Sequence, residues 1–239
     1  MIKLWVRSLL FAIGQWLFTP VFCLLIPLIY PLSPQRRYPI ITIWARSMLW
    51  WLEVTCGVRY RVIGAHHIPK EACVILCKHQ SAWETLALQK IAPPQVWVMK
   101  RSLLFVPFFG WGLAMSSPIA INRAAGREAL KQLVEQGKDR LQKGFCVVVF
   151  PEGTRIAPGK RGKYHIGGAW LATHTGSLAL PIAHNAGEFW GKNAFLKRPG
   201  TITVSIGEPI STVGMKPDVL TQQVESWIEN EMPRLREYA

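Results

Sequence analysis

Two short motifs hold the side chains best suited to chemistry. His79-Gln-Ser-Ala-Trp-Glu84 sets an imidazole ahead of a carboxylate, and Phe150-Pro-Glu-Gly-Thr-Arg155 gathers a carboxylate, a glycine and a guanidinium. A neutral imidazole takes a proton from a hydroxyl near neutral pH, typically worth about 10²–10⁴-fold in rate. It works best when a carboxylate holds its second ring nitrogen, fixing the tautomer and stabilising the imidazolium. Glu84 meets that need if His79 lies in the turn before a helix and Glu84 in its first turn. The same residues fit another role, because Ser81-Ala-Trp-Glu84 has the spacing of a capping box, with Ser81 as N-cap and Glu84 reaching back to its backbone N–H. Both roles draw on one carboxylate. In the second motif Gly153 permits a close backbone approach. Arg155 offers a planar fork matched to phosphate, with Lys160, Arg161 and Lys163 following. Ile121-Asn-Arg123 supplies another guanidinium near a predicted strand end.

These groups need a scaffold, and the pattern after Cys56 predicts one. Short β-rich runs fall at 58–63, 73–77, 95–99, 146–150, 179–183 and 201–206, with helical stretches at 81–90, 127–143 and 167–175. Strands alternating with helices imply an α/β fold whose central sheet is mixed and largely parallel, flanked by helices. The continuously apolar run Cys146-Val-Val-Val-Phe150 reads as a central strand covered on both faces. Sites in such sheets lie at the carboxyl ends of strands. His79 and Glu152 both follow a predicted strand. A last helix, 217–235, carries Leu220, Val224, Trp227, Ile228 and Leu235 on one stripe with acids opposite, and reads as a packing helix without chemistry.

The N-terminus differs. No charged residue occurs between Ser8 and Gln35, a stretch longer than the roughly 20 apolar residues that cross a bilayer. Pro20, Pro27, Pro31 and Pro34 interrupt it, and basic residues flank both ends. A second segment, 40–56, carries Trp44, Trp50 and Trp51 and suits the bilayer interface. Two helices dipping into one leaflet are favoured over a single span. Residues 1–56 are thus expected to form a membrane-embedded or interfacial helical segment, and residues 57–239 the α/β domain with its C-terminal packing helix.

Of the 239 residues, 28 are Lys or Arg and 14 are Asp or Glu, a formal net charge of +14. Six of the acids lie after Gly207, so residues 1–207 hold 25 bases against 8 acids, a net +17. Such a field favours anionic membranes, phosphorylated ligands or acidic proteins. It would also suit nucleic acid, against which the apolar N-terminus argues. Cys23, Cys56, Cys73, Cys77 and Cys146 form no CxxC pair and read as reduced, buried side chains, and the histidines lack zinc-ligand spacing. No metal site is expected.

With these residues in view, the chain resembles the 1-acylglycerol-3-phosphate acyltransferase (lysophosphatidic acid acyltransferase) family of glycerolipid acyltransferases. The likeness is carried in order by His79-Gln-Ser-Ala-Trp-Glu84, Ala120-Ile-Asn-Arg123, Phe150-Pro-Glu-Gly-Thr-Arg155 and Leu180-Pro-Ile-Ala183, across residues 55–210. The resemblance implies that His79 deprotonates an acceptor hydroxyl, which attacks an acyl thioester without an acyl-enzyme. It implies that Arg123, Glu152, Gly153 and Arg155 shape an acceptor-phosphate site, with Thr154 also counted among the substrate-binding residues and Pro181 supporting the acyl-donor side. No cofactor is implied. The expected reaction moves a fatty acyl group from acyl-CoA or acyl carrier protein to the sn-2 hydroxyl of lysophosphatidate, forming phosphatidate. The expected location is the cytoplasmic face of the inner cell membrane, against anionic lipid.

Two departures stand out. The family's first motif normally ends in Asp, whereas Glu84 is one methylene longer. Tyr164-His-Ile-Gly-Gly-Ala-Trp-Leu-Ala172 looks like a family segment that usually carries lysines where Ile166 and Gly167 stand, which bears on the acceptor headgroup. The alternatives are another lysolipid acceptor, such as a lyso-aminolipid, or a non-catalytic membrane-surface lipid-binding module. A serine-hydrolase mechanism is disfavoured because there is no Gly-x-Ser-x-Gly elbow.

Overall fold

A computed structural model describes residues 1–92, 94–107, 109–122 and 125–237. Two long helices lead, α1 (Ile2–Leu25) and α2 (Pro34–Cys56), joined through a 3₁₀ turn at Ile26–Ile29. The prolines act differently from a simple count of breakers. Pro20 and Pro39 lie inside α1 and α2, and the chain reverses only between Ile26 and Ser33. Pro34 stands in the first turn of α2, where its missing N–H has no helical partner to lose. The second helix therefore starts six residues before the predicted 40.

The helices run antiparallel. Trp44 Nε1 donates to Thr19 Oγ1 at 3.1 Å, Trp51 Nε1 to the Leu10 carbonyl at 3.2 Å, and Cys56 Sγ lies 3.5 Å from the Arg7 carbonyl. Gly14 makes this approach possible, since a Cβ there would stand 2.1 Å from Trp51 Nε1. The buried residues of α1 are Ser8, Phe11, Gly14 and Cys23, a narrow stripe. Over Ile2–Ile29 the most apolar window has a mean hydropathy of 2.1 and is only 22% buried, whereas a helix packed inside a water-soluble core would be mostly covered. Leu9, Trp16, Leu17 and Leu28 stand open, as do Ile43, Trp50 and Val54 of α2. A face this apolar suits lipid better than water.

The remaining chain alternates: β1 (Val58–Ile63), β2 (Val74–Cys77), α3 (Trp83–Ile91), β3 (Gln95–Lys100), α4 (Phe109–Met115), β4 (Ile119–Ile121), α5 (Arg127–Gln142), β5 (Cys146–Val149), α6 (Gly167–Thr175), β6 (Ala179–His184), α7 (Ala186–Phe189), β7 (Gly200–Ile206) and α8 (Pro217–Glu237). The strands form one sheet in the order β1-β7-β6-β2-β5-β3-β4. Every pairing is parallel except β6 with β7. Strands β6, β2, β5, β3 and β4 thus end on the same side, while β1 and β7 run the other way. All six predicted strands are present. The short β4, for which the sequence offered only a strand end at Ile121, extends the sheet beyond β3.

Strand β2 shows how the layers form. Cys73, Ile75 and Cys77 face one core cluster with Phe11, Leu52 and Trp83, and so meet α1, α2 and α3. Val74 and Leu76 face another with Leu133, Leu171, Leu220 and Ile228, and so meet α5, α6 and α8. The sheet is covered on both sides, which is why its central strands carry no polar alternation. The α1–α2 hairpin is fastened to this body. Phe11 meets Trp190 edge-on at 5.3 Å, the Lys197 backbone N–H donates to Ser8 Oγ at 2.9 Å, and Lys197 Nζ lies 5.0 Å from the ring centroids of both Phe11 and Trp190.

Gly14→Val must displace the Trp51 indole and break its bond to Leu10. Overpacking of this kind costs about 1–3 kcal/mol. The expected result is a Tm in detergent lowered by several degrees, read by thermal unfolding followed by circular dichroism.

Candidate active site

The order β6-β2-β5 brings three carboxyl ends side by side, and each delivers part of one site. From β2 come Lys78 and His79, from β5 the Phe150–Arg155 block, and from β6 His184. The backbone at the first of these is held at every polar group. Lys78 N–H donates to the Ile182 carbonyl at 2.9 Å, and the Lys78 carbonyl lies 2.8 Å from His184 Nε2. His79 N–H donates to Glu152 Oε2 at 2.9 Å, and its carbonyl accepts from Ile156 N–H at 2.8 Å.

The ring is equally constrained. His79 Nδ1 lies 2.7 Å from Glu84 Oε1, and an ionised carboxylate only accepts, so Nδ1 carries a proton, and in the neutral form of the ring Nε2 is the nitrogen with the lone pair. Phe150 stacks on the imidazole at 3.9 Å between centroids with a 13° tilt, and Trp97 stacks on Phe150 at 5.6 Å. A neutral imidazole with a fixed tautomer and one free nitrogen is a general base ready for a hydroxyl.

Glu84 is fully buried. Its Oε1 also accepts the backbone N–H groups of Gln80 at 3.0 Å and Ser81 at 2.9 Å. Orienting the base and closing the turn are therefore not rivals, because one oxygen does both. The predicted cap is displaced, however. Helix α3 starts at Trp83 rather than Ser81, and Ser81 Oγ accepts from Trp83 N–H at 3.1 Å. The extra methylene of Glu84 lets it reach back from the first turn. Among the described residues its Oε2 has no hydrogen-bond partner, and His184 Nε2 is the facing group at 3.9 Å. Burial pushes the Glu84 carboxyl up, but the imidazoles of His184 and His79 and the Ser81 N–H more than reverse this, holding it below its ordinary value. Burial holds His184 below its ordinary value against the pull of Glu84. Its contacts fit the neutral ring, with Nδ1 accepting from Ala186 N–H at 3.3 Å and Nε2 donating to Lys78.

The second motif forms a tight turn. Gly153 N–H donates to the Phe150 carbonyl at 3.0 Å, and Gly153 adopts φ 66°, a left-handed conformation that favours glycine. Glu152 is buried with its carboxylate turned inward, onto Lys78 Nζ at 2.6 Å and the His79 N–H. Burial raises its carboxyl, and the bond from Lys78 only partly offsets this. Thr154 is exposed and receives Lys192 Nζ at 3.3 Å. Arg155 is half-buried and, among the described residues, makes no hydrogen bond or ion pair. Its guanidinium can therefore meet an anion. The turn forms one wall of a cleft of about 540 Å³, with Val98, Ile121, Leu133, Ile166 and Gly168 on the other walls. Pro181 lies elsewhere, buried in mid-strand β6 opposite Leu76, its carbonyl accepting from Gly207 N–H at 3.0 Å. Arg123 lies outside the described residues. A larger hollow of about 750 Å³, beside His66, His67, Glu208 and Trp227, is lined from the ends of β1 and β7 and does not include His79.

Sequence reasoning missed three neighbours of the base. Lys78 is 1% exposed, yet its only local sign was a lysine directly after an apolar strand. His184 ends a strand as His79 follows one, a cue available but unused. Glu229 comes from α8, which was read as chemically silent, and it accepts from Lys78 Nζ at 2.7 Å and from Tyr164 O–H at 2.8 Å. One acid among several on a helix face carries no local sign of being turned inward.

A histidine whose folded value is depressed stabilises the protein above its unfolded value, 6.5, and loses that contribution as pH falls through the folded value. Between about pH 7 and pH 5 the wild-type Tm should therefore fall more steeply than that of His184→Gln, measured by thermal unfolding at matched ionic strength.

The sequence profile of the Acyltransferase family matches residues 59–185. The 1-acyl-sn-glycerol-3-phosphate acyltransferase of Pseudomonas aeruginosa is 47% identical over 212 residues, covering 87% of this chain and 82% of that protein. The alpha form from Bos taurus is 31% identical over 181 residues, covering 72% of this chain and 61% of the bovine protein. The crystal structure of the 1-acyl-sn-glycerophosphate acyltransferase PlsC from Thermotoga maritima superposes with a TM-score of 0.81 over 98% of this chain and 97% of its own; at 21% identity this bears on the fold alone. The profile match over more than half of the chain and the 47% identity across most of its length place the chain in the 1-acyl-sn-glycerol-3-phosphate acyltransferase family.

Proposed function

We propose that the protein transfers a fatty acyl group from an acyl thioester, of coenzyme A or acyl carrier protein, to the sn-2 hydroxyl of lysophosphatidate, giving phosphatidate. The observation that carries the reading is His79 itself, with Nδ1 on Glu84 at 2.7 Å, one ring face on Phe150, and Nε2 left as the proton acceptor. Nε2 takes the hydroxyl proton as the oxygen adds to the thioester carbonyl. The tetrahedral intermediate collapses, the C–S bond breaks, and the departing thiolate recovers the proton from the imidazolium. Ionised Glu84 stabilises that imidazolium while it lasts.

Arg155 supports a phosphate-bearing acceptor, and Gly153 and Thr154, just before it in the chain, line the cleft. In this reading Arg123 joins them and Pro181 backs the donor side. Glu152 serves from below, holding the His79 backbone rather than meeting the negatively charged phosphate. Both candidate donors are acidic, as the net +17 over residues 1–207 favours. Residues 1–56 form the membrane unit and residues 57–239 the acyltransferase domain. The open apolar face of α1 and α2 supports an anchorage in which the acceptor stays in the lipid. With basic residues at both ends of the apolar stretch, the helix hairpin returns the chain to the side it left, the cytoplasmic face.

The test is an assay of the purified protein with defined acyl-CoA and acyl carrier protein donors, and lysolipids with and without a phosphate. His79→Ala should lower kcat by about 10²–10⁴-fold in folded protein. Arg155→Ala should raise KM for lysophosphatidate about tenfold while leaving KM for the donor near its wild-type value. Acyl transfer indifferent to the acceptor's phosphate would overturn the choice of lysophosphatidate, and near wild-type turnover by His79→Ala would overturn the mechanism.

A further inference from the structure

Beneath the general base lies an ionic group that the acyl-transfer chemistry does not consume. Lys78 is 1% exposed, and its Nζ donates to Glu152 Oε1 at 2.6 Å and to Glu229 Oε1 at 2.7 Å. Tyr164 O–H donates to the same Glu229 oxygen at 2.8 Å. A buried ammonium costs several kcal/mol to desolvate, so Lys78 is held wherever its carboxylates are. Glu152 then passes the constraint on, because its other oxygen accepts the His79 backbone N–H at 2.9 Å. A continuous line of contacts runs from Tyr164 through Glu229, Lys78 and Glu152 to the catalytic residue.

We propose that Glu229 of α8 is a positioning residue for the general base. By sharing Lys78 with Glu152, it fixes the direction of the Glu152 carboxylate and so the seat of the His79 peptide and imidazole. The rigidity comes from the helix. Leu220, Val224, Ile228 and Leu235 are all at most 1% exposed, so α8 cannot roll and carry Glu229 away. Other polar contacts of the helix among the described residues do not touch Lys78, Glu152 or His79: Glu225 pairs with the largely exposed Arg161 at 2.7 Å, Glu231 accepts from Ser205 at 2.8 Å, and the Leu235 carbonyl accepts from Asn185 Nδ2 at 3.2 Å. Without Glu229, Lys78 would keep one carboxylate in place of two and could follow it into other arrangements. Displacement of a base by a fraction of an ångström is enough to slow chemistry without weakening substrate binding.

The kinetic arm of the test rests on the proposed acyl transfer. In folded protein assayed with acyl-CoA and lysophosphatidate, Glu229→Leu should lower kcat about tenfold or more, with both KM values within about twofold of wild type. Glu229→Gln, which keeps an acceptor oxygen for Lys78 and Tyr164, should recover most of the rate. In a Lys78→Met background, Glu229→Leu should add less than about twofold, because the two act as one unit. Wild-type kcat in Glu229→Leu, a loss confined to KM, or losses that multiply in the double variant would each overturn the proposal. If Glu229→Leu does not fold, Tyr164→Phe takes its place: a kcat loss of about threefold supports the proposal and an unchanged kcat overturns it. A second arm needs no substrate. Diethyl pyrocarbonate should modify His79 faster in Glu229→Leu and Tyr164→Phe than in wild type, followed by mass spectrometry, with Glu229→Gln close to the wild-type rate; an unchanged rate in both Glu229→Leu and Tyr164→Phe overturns the proposal. If wild-type protein acylates no lysolipid, the functional reading fails while this second arm still decides the positioning role.

Discussion

A fully buried carboxylate is costly, and the architecture around Glu84 follows from meeting that cost. One oxygen receives the His79 ring and two successive backbone N–H groups, and the other faces His184. Each donor requires its own support. The Gln80 and Ser81 amides point inward only because the chain leaves β2 in a tight turn and enters α3 at once. The His79 ring points inward because Glu152 and Ile156 clamp its peptide and Phe150 covers one face. Removing any support exposes an uncompensated charge in a dry interior, where the penalty is several kcal/mol. The geometry of the proposed base and the stability of the fold are therefore secured by the same bonds.

Much of this could be read from the chain. The strands were plain because both faces of the sheet are covered, which makes runs such as Val74-Ile-Leu-Cys77 apolar without alternation. The contact of His79 with Glu84 was plain because they lie five positions apart, and a turn entering a helix brings such neighbours together. The block after β5 was plain from its glycine and charges. What escaped was non-local. Glu229 and Lys78 are 151 positions apart, and nothing in the helical period of α8 marks which acid turns inward. Strand β4 escaped because three residues offer too little pattern and only the pairing with β3 defines them. Pro27 and Pro31 do mark the break between α1 and α2, whereas Pro20 lies inside α1 and Pro34 opens α2, where its missing N–H costs no helical bond.

The topology explains why a single edge of the sheet could gather the whole site. Five neighbouring strands run the same way, so every loop leaving them opens toward the same side, and β7 and β1 return in the opposite sense without intruding. The α1–α2 hairpin packs on the other face from α8. The two layers thus have separate duties. One layer carries the open apolar surface and is tied to the body through Ser8, Phe11 and Lys197. The other reaches under the site with Glu229 and Tyr164.

The stack of Trp97, Phe150 and His79 carries a stereochemical consequence. The lone pair on an imidazole nitrogen lies in the plane of the ring, not above it. With Phe150 laid almost parallel against one face, and Nδ1 pinned from the far edge, a hydroxyl can surrender its proton only by arriving edgewise, along a line that skims the aromatic planes. In the proposed reaction the tilt of a phenylalanine would set the trajectory of the attacking oxygen in advance, and the flat rings would act as a guide rail while taking no electronic part.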